Sequence, residues 1–466
     1  MLDEKKRGMD FLLNPSSVAV IGASRNKDSV GQGVLRSLLY GCVFDTGICQ
    51  PFSGKIYPVN PNADEVLGVK CYRSIADVEG QVDLAVICIP APAVLQAVKD
   101  CGAKSVKALI ITTAGFGEAG ADGMALQDQV VLEAKKSGMA VLGPNCLGLI
   151  RPPVALNASF ALAAPESGEV AFLSQSGALS DSVIDWAIDN KYPFSLLASI
   201  GNGADIDVVD FIEWCEADPQ TKSIAIYLEG IRDGRRFMQV CKRASQTKPI
   251  VLLKAGRSEA GAKSAGAHTG SLAGSYKVWK AACKQSGVIV ANDFEELFEF
   301  AGILAKQKRS YNNSVAIITN GGGAGVLCAD FCEENGIKLA ELSAETLEQL
   351  DKTGLMHPAY SRRNPLDLVG DALPERYKAA VDTLIGKDYV GGLIVMQTLQ
   401  TMTDTVEDAK IVIEAKKTHP EKPVVCVFMG GKFTRPGAQL LVQNGVAEFN
   451  DPRKAARAMA AMLGLL

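Results

Sequence analysis

The chain is poor in the residues that build metal centres and disulfide scaffolds. Its 466 residues contain three histidines, His268, His357 and His419, whose spacing suits no metal site, so no metal-ligand set is expected. The twelve cysteines form no CxxC or CxxCH pair and are too sparse for a disulfide framework. The closest two, Cys328 and Cys332, lie in a helical pattern, and the set reads as reduced, mostly buried thiols. No uninterrupted run of 18 apolar residues occurs, and the charged start MLDEKKRGMD has no apolar stretch behind it as a secretory signal would need. A cytoplasmic chain with no membrane contact is expected. Positive charge is not in excess either: 48 Lys and Arg against 52 Asp and Glu leave a formal net charge of -4, which supplies no field for nucleic acid. Any anion must be held locally.

What is present is apolar and glycine-punctuated, with 47% hydrophobic residues and 45 glycines. The length corresponds to about two to four domains. Short β-branched runs alternate with segments of helical period almost from end to end, the pattern of an α/β protein with parallel sheets covered by helices on both faces. Three times, roughly 150 residues apart, the chain opens such a series with a strand, a Gly/Ser turn and a helix: VAVIGAS from Val18, VAFLSQSGALS from Val170 and VAIITNGGGAG from Val315. Three doubly wound domains are therefore expected, over residues 1–150, 151–310 and 311–466, with Arg151, Pro152 and Pro153 as a linker.

In such sheets ligands lie beyond the carboxyl ends of the strands, where the N–H groups and dipole of the next helix favour an anion. The first opening, Gly22, Ala23 and Ser24 with Arg25 and Gly31, does not match GxGxxG, and no acidic residue closes the second strand, which weighs against an NAD-dependent dehydrogenase. A nucleotide-like ligand still fits, its cleft lined by strand-end loops with Val59, Asn60 and Pro61; Ile89 and Pro90; Thr113, Ala114 and Gly115; and Asn145. The second opening, Ser174, Gln175, Ser176 and Gly177, puts hydroxyls and N–H groups at a helix start and suits a phosphate. The third, Gly321, Gly322, Gly323, Ala324 and Gly325, lets an anion approach bare backbone, although glycines that only admit a helix close to a sheet would look the same.

The segment GRSEAGAKSAGAHTGSLAG, Gly256 to Gly274, holds 13 Gly, Ala or Ser among 19 residues, so few side chains could pin it to a core and mobility is expected. Within it stands His268, whose imidazole is substantially neutral and nucleophilic near neutral pH. Glu229 closes the apolar run SIAIYLE, which puts its carboxylate at the functional rim. There it could hold one ring nitrogen of His268 and leave the other to attack phosphorus.

The ordered set GAS, GPNCLG, SQSGALS, YLEG, AGAHTGSLAG, NGGGAG and NPLDLVGDA resembles the α subunit of NDP-forming acyl-CoA synthetases, the ADP-forming acetate:CoA ligase type related to succinyl-CoA synthetase. The resemblance runs from about Met9 over nearly the whole chain. It implies a Rossmann-like CoA-binding domain followed by two flavodoxin-like ligase domains. It implies further that His268 is phosphorylated, that Glu229 steadies it, and that the second and third helix starts face the phosphate. The first-unit loops would hold CoA. Phosphate would convert an acyl-CoA of a small carboxylic acid to an acyl phosphate, and His268 would relay the phosphoryl group to ADP or GDP, giving ATP or GTP. No ATP-grasp segment is recognised, so the nucleotide and Mg2+ are expected on a separate ATP-grasp β subunit, as an α2β2 assembly. A non-catalytic CoA-sensing or scaffolding subunit is the competing reading; the presence of both His268 and Glu229 argues against it.

Overall fold

The computed structural model of the protein describes residues 2–261, 263 and 275–466. It separates into two compact units, Met1–Leu297 and Phe298–Leu466. The first unit holds two sheets. One is built from β1 (Ser17–Ile21), β2 (Lys55–Val59), β5 (Leu84–Ile87), β6 (Ala108–Ile111) and β7 (Ala140–Leu142) in the order β2-β1-β5-β6-β7; a small hairpin, β3 (Glu65–Val66) and β4 (Val69–Lys70), stands apart. The other combines β10 (Ser167–Ser174), β11 (Phe194–Ser199), β12 (Ser223–Leu228), β13 (Ile250–Lys254) and β14 (Val288–Val290) with β8 (Gly148–Arg151) and β9 (Leu156–Ser159), in the order β14-β13-β12-β10-β11-β8-β9.

The second unit carries β15 (Ser314–Thr319), β16 (Lys338–Leu339), β18 (Gly392–Thr398), β19 (Val424–Met429) and β20 (Ala447–Phe449) in the order β16-β15-β18-β19-β20, with β17 (Leu366–Asp367) paired to β15. Counted along the chain, the five main parallel strands of every sheet lie in the same order, second, first, third, fourth, fifth. Each sheet therefore reverses direction beside its first strand, and that switch point is where ligands bind in this class.

These segments are strands because their apolar residues have two faces to bury. In the first sheet Val18, Val20, Leu84, Val86 and Ile110 belong to one core, while Ala19, Ile21, Ala85, Ile87 and Ile111 belong to another. Alternation thus fills both faces, at about 1.5–3 kcal/mol for each large side chain taken from water. The first of these cores continues into the second sheet through Leu173, Leu196, Ile224 and Leu252, which makes one unit of two sheets. Among the described residues no helix is long and apolar enough to cross a membrane.

Two expectations are corrected. Arg151, Pro152 and Pro153 are not a free linker: β8 pairs antiparallel with β11 and turns through Pro152–Val154 and left-handed Ala155 into β9. The buried Arg151 guanidinium is spent on Asp218 at 3.3 Å and lies over the Trp214 ring. The cysteines are not all reduced either: Gly41 ends the helix Val30–Tyr40 in a left-handed conformation, and the returning loop joins Cys42 to Cys49 in a disulfide, Cα atoms 5.8 Å apart. Of the ten free thiols, nine are buried and Cys88 is partly so.

In the second unit Asp408 (2% exposed) faces Gln397 (0% exposed), whose Nε2 donates to Asp408 Oδ2. The other oxygens of the two groups, Gln397 Oε1 and Asp408 Oδ1, are buried without a donor. One proton on Oδ1 would satisfy both as a cyclic acid–amide pair. Burial pushes this carboxyl up to about 7; the Gln397 bond opposes the shift, and Asp404, Glu375 and Glu407 add to it, while the Tyr377 phenol and Cys426 thiol also face it. A carboxyl raised in the folded state contributes stability that is complete below its unfolded value, about 4, and is lost as pH rises through about 7. Asp408→Asn can make the same cyclic pair without a proton. The thermal midpoint of the parent should therefore fall between pH 5 and 8 by more than that of Asp408→Asn, and equal falls would show that Asp408 is ionised throughout.

Candidate functional site

At the carboxyl edge of the first sheet, the loops expected to hold a nucleotide-like ligand come together. Gly22 follows β1 at φ +93°, and a Cβ on Gly31 would stand 2.0 Å from Gly22 O, so the helix Val30–Tyr40 sits directly on this turn. Asn60 Nδ2 donates to the carbonyl of buried Ala23 at 2.6 Å, tying the loop of Val59 and Pro61 to it. Ser24 Oγ accepts Asn26 N, and Arg25 is exposed, its Nε on Glu65 O. Thr113 Oγ1 donates to Ile89 O at 2.6 Å, and Pro90 begins the next helix. Ala114 and Gly115 are exposed beside it. Asn145 N donates to Thr113 O at 2.9 Å.

The second and third openings prove to be built alike. Ser174, the last residue of β10, accepts Ser176 N on its hydroxyl and donates to Ser176 O; Thr319, the last of β15, does the same with Gly321. The next residue carries an amide that straps the turn to the neighbouring strand across the switch point. Gln175 Oε1 accepts Glu229 N at 2.6 Å and Gly230 N at 3.0 Å, and its Nε2 donates to Gly230 O at 3.0 Å. Asn320 Oδ1 accepts Thr398 N at 2.7 Å and Thr398 Oγ1 at 2.9 Å, and its Nδ2 donates to Thr398 O at 2.9 Å.

The side chains of Ser174 and Gln175, and the Ser176 N–H, are thus occupied in shaping the turn ahead of the helix start at Gly177. Ser176 caps that helix through Leu179 N. In the third opening Gly322 and Gly323 are exposed and Gly321 and Ala324 partly so. Gly325 is buried against Thr319 and Pro365 with its N–H on Gly321 O, so it serves packing.

Within the first unit one cavity of about 490 Å³ joins both sheets' edges. Gln175 and Glu229 line it from the second sheet, Asn145 and Glu118 from the first. A backbone seam sets its width: Asn202 N bonds Pro144 O, Ala204 N bonds Gly143 O and Ile206 N bonds Val141 O. The loop Gly201-Asn202-Gly203, with both glycines at positive φ, was overlooked in the sequence although a strand followed by Gly-x-Gly announces such a turn. Asn202 Nδ2 donates to Glu118 Oε2 at 2.5 Å and to Gln127 Oε1 at 2.9 Å. Burial would raise the Glu118 carboxyl, but the Asn202 bond and those from the Gly115 and Phe116 N–H groups outweigh it and hold it below its ordinary value. His268 lies outside the described residues. The one cluster of possible metal ligands among the described residues is Cys42, Asp45 and Cys49, whose two thiols are joined as a disulfide.

Family models match the chain in three stretches: a CoA binding domain over residues 16–152, a succinyl-CoA ligase like flavodoxin domain over 167–304 and a ligase-CoA domain over 315–464. It is 40% identical over 458 residues to acetate–CoA ligase (ADP-forming) II subunit alpha of Pyrococcus furiosus, covering 98% of this chain and 97% of that one. The chain belongs to the family of ADP-forming acetate–CoA ligase α subunits. A longer member, acetate–CoA ligase (ADP-forming) I of Archaeoglobus fulgidus, is 41% identical over 97% of this chain, which spans 63% of it. The solved dinucleotide-forming acetyl-coenzyme A synthetase 1 of Ca. Korarchaeum cryptofilum, in complex with phosphate and ADP, superposes with TM-score 0.90 at 36% identity, over 98% of this chain and 96% of that one. The order of sheets and switch points described above is thus that of an ADP-forming ligase α subunit.

Because the Gln175 amide satisfies three backbone groups of the Glu229 turn, Gln175→Leu should destabilise this α subunit by about 1–3 kcal/mol in urea unfolding. A loss within error of zero would mean that water replaces the strap.

Proposed function

We propose that the chain is the α subunit of an NDP-forming acyl-CoA synthetase that interconverts acyl-CoA, phosphate and ADP or GDP with a small carboxylic acid, CoA and ATP or GTP. Its domains are taken as residues 1–150, 151–310 and 311–466, the first binding CoA through the loops around Gly22, Asn60, Ile89, Thr113 and Asn145. The observation that carries this reading is the shared cavity: Asn145 from the edge suited to a nucleotide-like ligand and Gln175, just ahead of the helix start suited to phosphate, line one space, with Glu229 at its wall.

A phosphate oxygen attacks the thioester carbon, the C–S bond breaks, and CoA leaves as the thiol after taking a proton, giving an acyl phosphate. N–H groups at the helix start of Gly177 favour the phosphoryl charge. A nitrogen of His268 then attacks phosphorus and the carboxylate leaves, with Glu229 accepting a hydrogen bond from the N–H of the same ring and so fixing its tautomer. The phosphoryl group passes from His268 to the nucleoside diphosphate on an ATP-grasp β subunit in an α2β2 cytoplasmic assembly. Magnesium there would neutralise nucleotide phosphate charge.

Supplying acetyl-CoA and phosphate to the chain and mapping the product by mass spectrometry should show an acid-labile phosphoryl group on His268, absent from His268→Ala. Glu229→Gln should still bind CoA while phosphorylation falls by about a hundredfold or more. Phosphorylation of Glu229→Gln at the parent rate would remove Glu229 from the mechanism. A second check concerns the partner: the chain alone should form no thioester from acid, CoA and ATP, and synthesis without a partner would place the nucleotide site on this chain.

A further inference from the structure

Lys254 ends β13, the strand next to the one that Glu229 follows, and it is 6% exposed. Its Nζ donates to Glu229 O at 2.7 Å and to Ala255 O, and it stands 5.5 Å from the centre of the Trp279 ring. Lys254 does not line the cavity; it lies behind Glu229. The Glu229 peptide is therefore gripped from both sides, its N–H by Gln175 from β10 and its C=O by Lys254 from β13.

An ammonium taken out of water is costly, and this one is held by the carbonyls of Glu229 and Ala255. Burial lowers the Lys254 pKa, and the Glu229 carboxylate and then Cys283 oppose that shift.

We propose that Lys254 is a positioning residue of the phosphoryl-transfer site, fixing the Glu229 peptide while it never touches substrate. The proposal rests on the role given to Glu229 above. Its test is the rate of phosphohistidine formation from acetyl-CoA and phosphate by the full chain, followed against acetyl-CoA concentration, in the parent and in Lys254→Met, Lys254→Gln and Lys254→Arg, with Glu229→Gln alongside. Removing the grip should lower the maximal rate about tenfold while the half-saturating acetyl-CoA concentration changes by less than about twofold. Lys254→Gln, one bond shorter, loses reach to the Glu229 carbonyl and should fall like Lys254→Met; Lys254→Arg keeps a long donor and should restore most of the rate. A parent maximal rate in Lys254→Gln, with Glu229→Gln inactive, would overturn the assignment to Lys254 alone. Full activity in Glu229→Gln would overturn the reading beneath it as well. Should Lys254→Met fail to fold, the Gln and Arg variants decide the question by themselves.

Discussion

Backbone polar groups at the carboxyl end of a central strand must be paired before a helix can start there, and the orientation of both ligase-type edges follows from how this is done. A strand-terminal hydroxyl closes the turn on itself, and the amide that follows straps it to the strand across the switch point. Both straps land at one register position: Glu229 stands three residues beyond Ile226, the partner of Leu173, and Thr398 three beyond Val395, the partner of Ile318. Gln175, one methylene longer than Asn320, reaches Gly230 as well.

The second determinant is the seam between the two sheets of the first unit. A cavity walled by loops alone would breathe, and chemistry at phosphorus tolerates little misplacement. Here the walls are tied by backbone bonds from residues 202, 204 and 206 to residues 144, 143 and 141, and by Leu147 N on Ser199 Oγ at 3.1 Å. The antiparallel strands β8 and β9 continue the tie, because the chain that leaves the first sheet becomes the edge of the second. Asn157 in β9 donates back to Gly41 O at 3.0 Å. The two sheets consequently share one continuous core.

Much of this was legible in the sequence, for a definite reason. A parallel strand buried on both faces must be an apolar run, and the turn that follows must be small or polar, so Val18, Val170 and Val315 announce their domains without any tertiary knowledge. Glu229 was legible because it is a charge at the end of such a run. What stayed hidden depends on partners distant in the chain. The strand Gly148–Arg151 is four residues long, is followed by two prolines and is defined by Leu197 and Ala198. Gln175 reads as a phosphate-loop residue until its amide is seen to be spent on backbone. Lys254 reads as the polar end of a strand, and its burial emerges only when Glu229 and Trp279 close over it. Cys42 and Cys49 are seven residues apart in a loop whose return no local signal specifies.

The shared design of the second and third edges makes their difference informative. Glu229 has an ammonium behind it and a strap in front, and the neighbouring helix start is capped by the uncharged hydroxyl of Ser176. At the matching point of the third sheet stands Thr398, its hydroxyl already donated to Asn320. A carboxylate stands at that helix start: Asp367 Oδ2 would be 2.8 Å from a Cβ on Gly322. An acidic side chain there already answers part of the helix dipole, so an anion gains less from this end than from the start at Gly177. The third edge therefore presents a hydroxyl where the second presents a carboxylate. The two edges are alike in construction and unequal in chemistry, and the inequality resides in the residue each strap holds, Thr398 or Glu229.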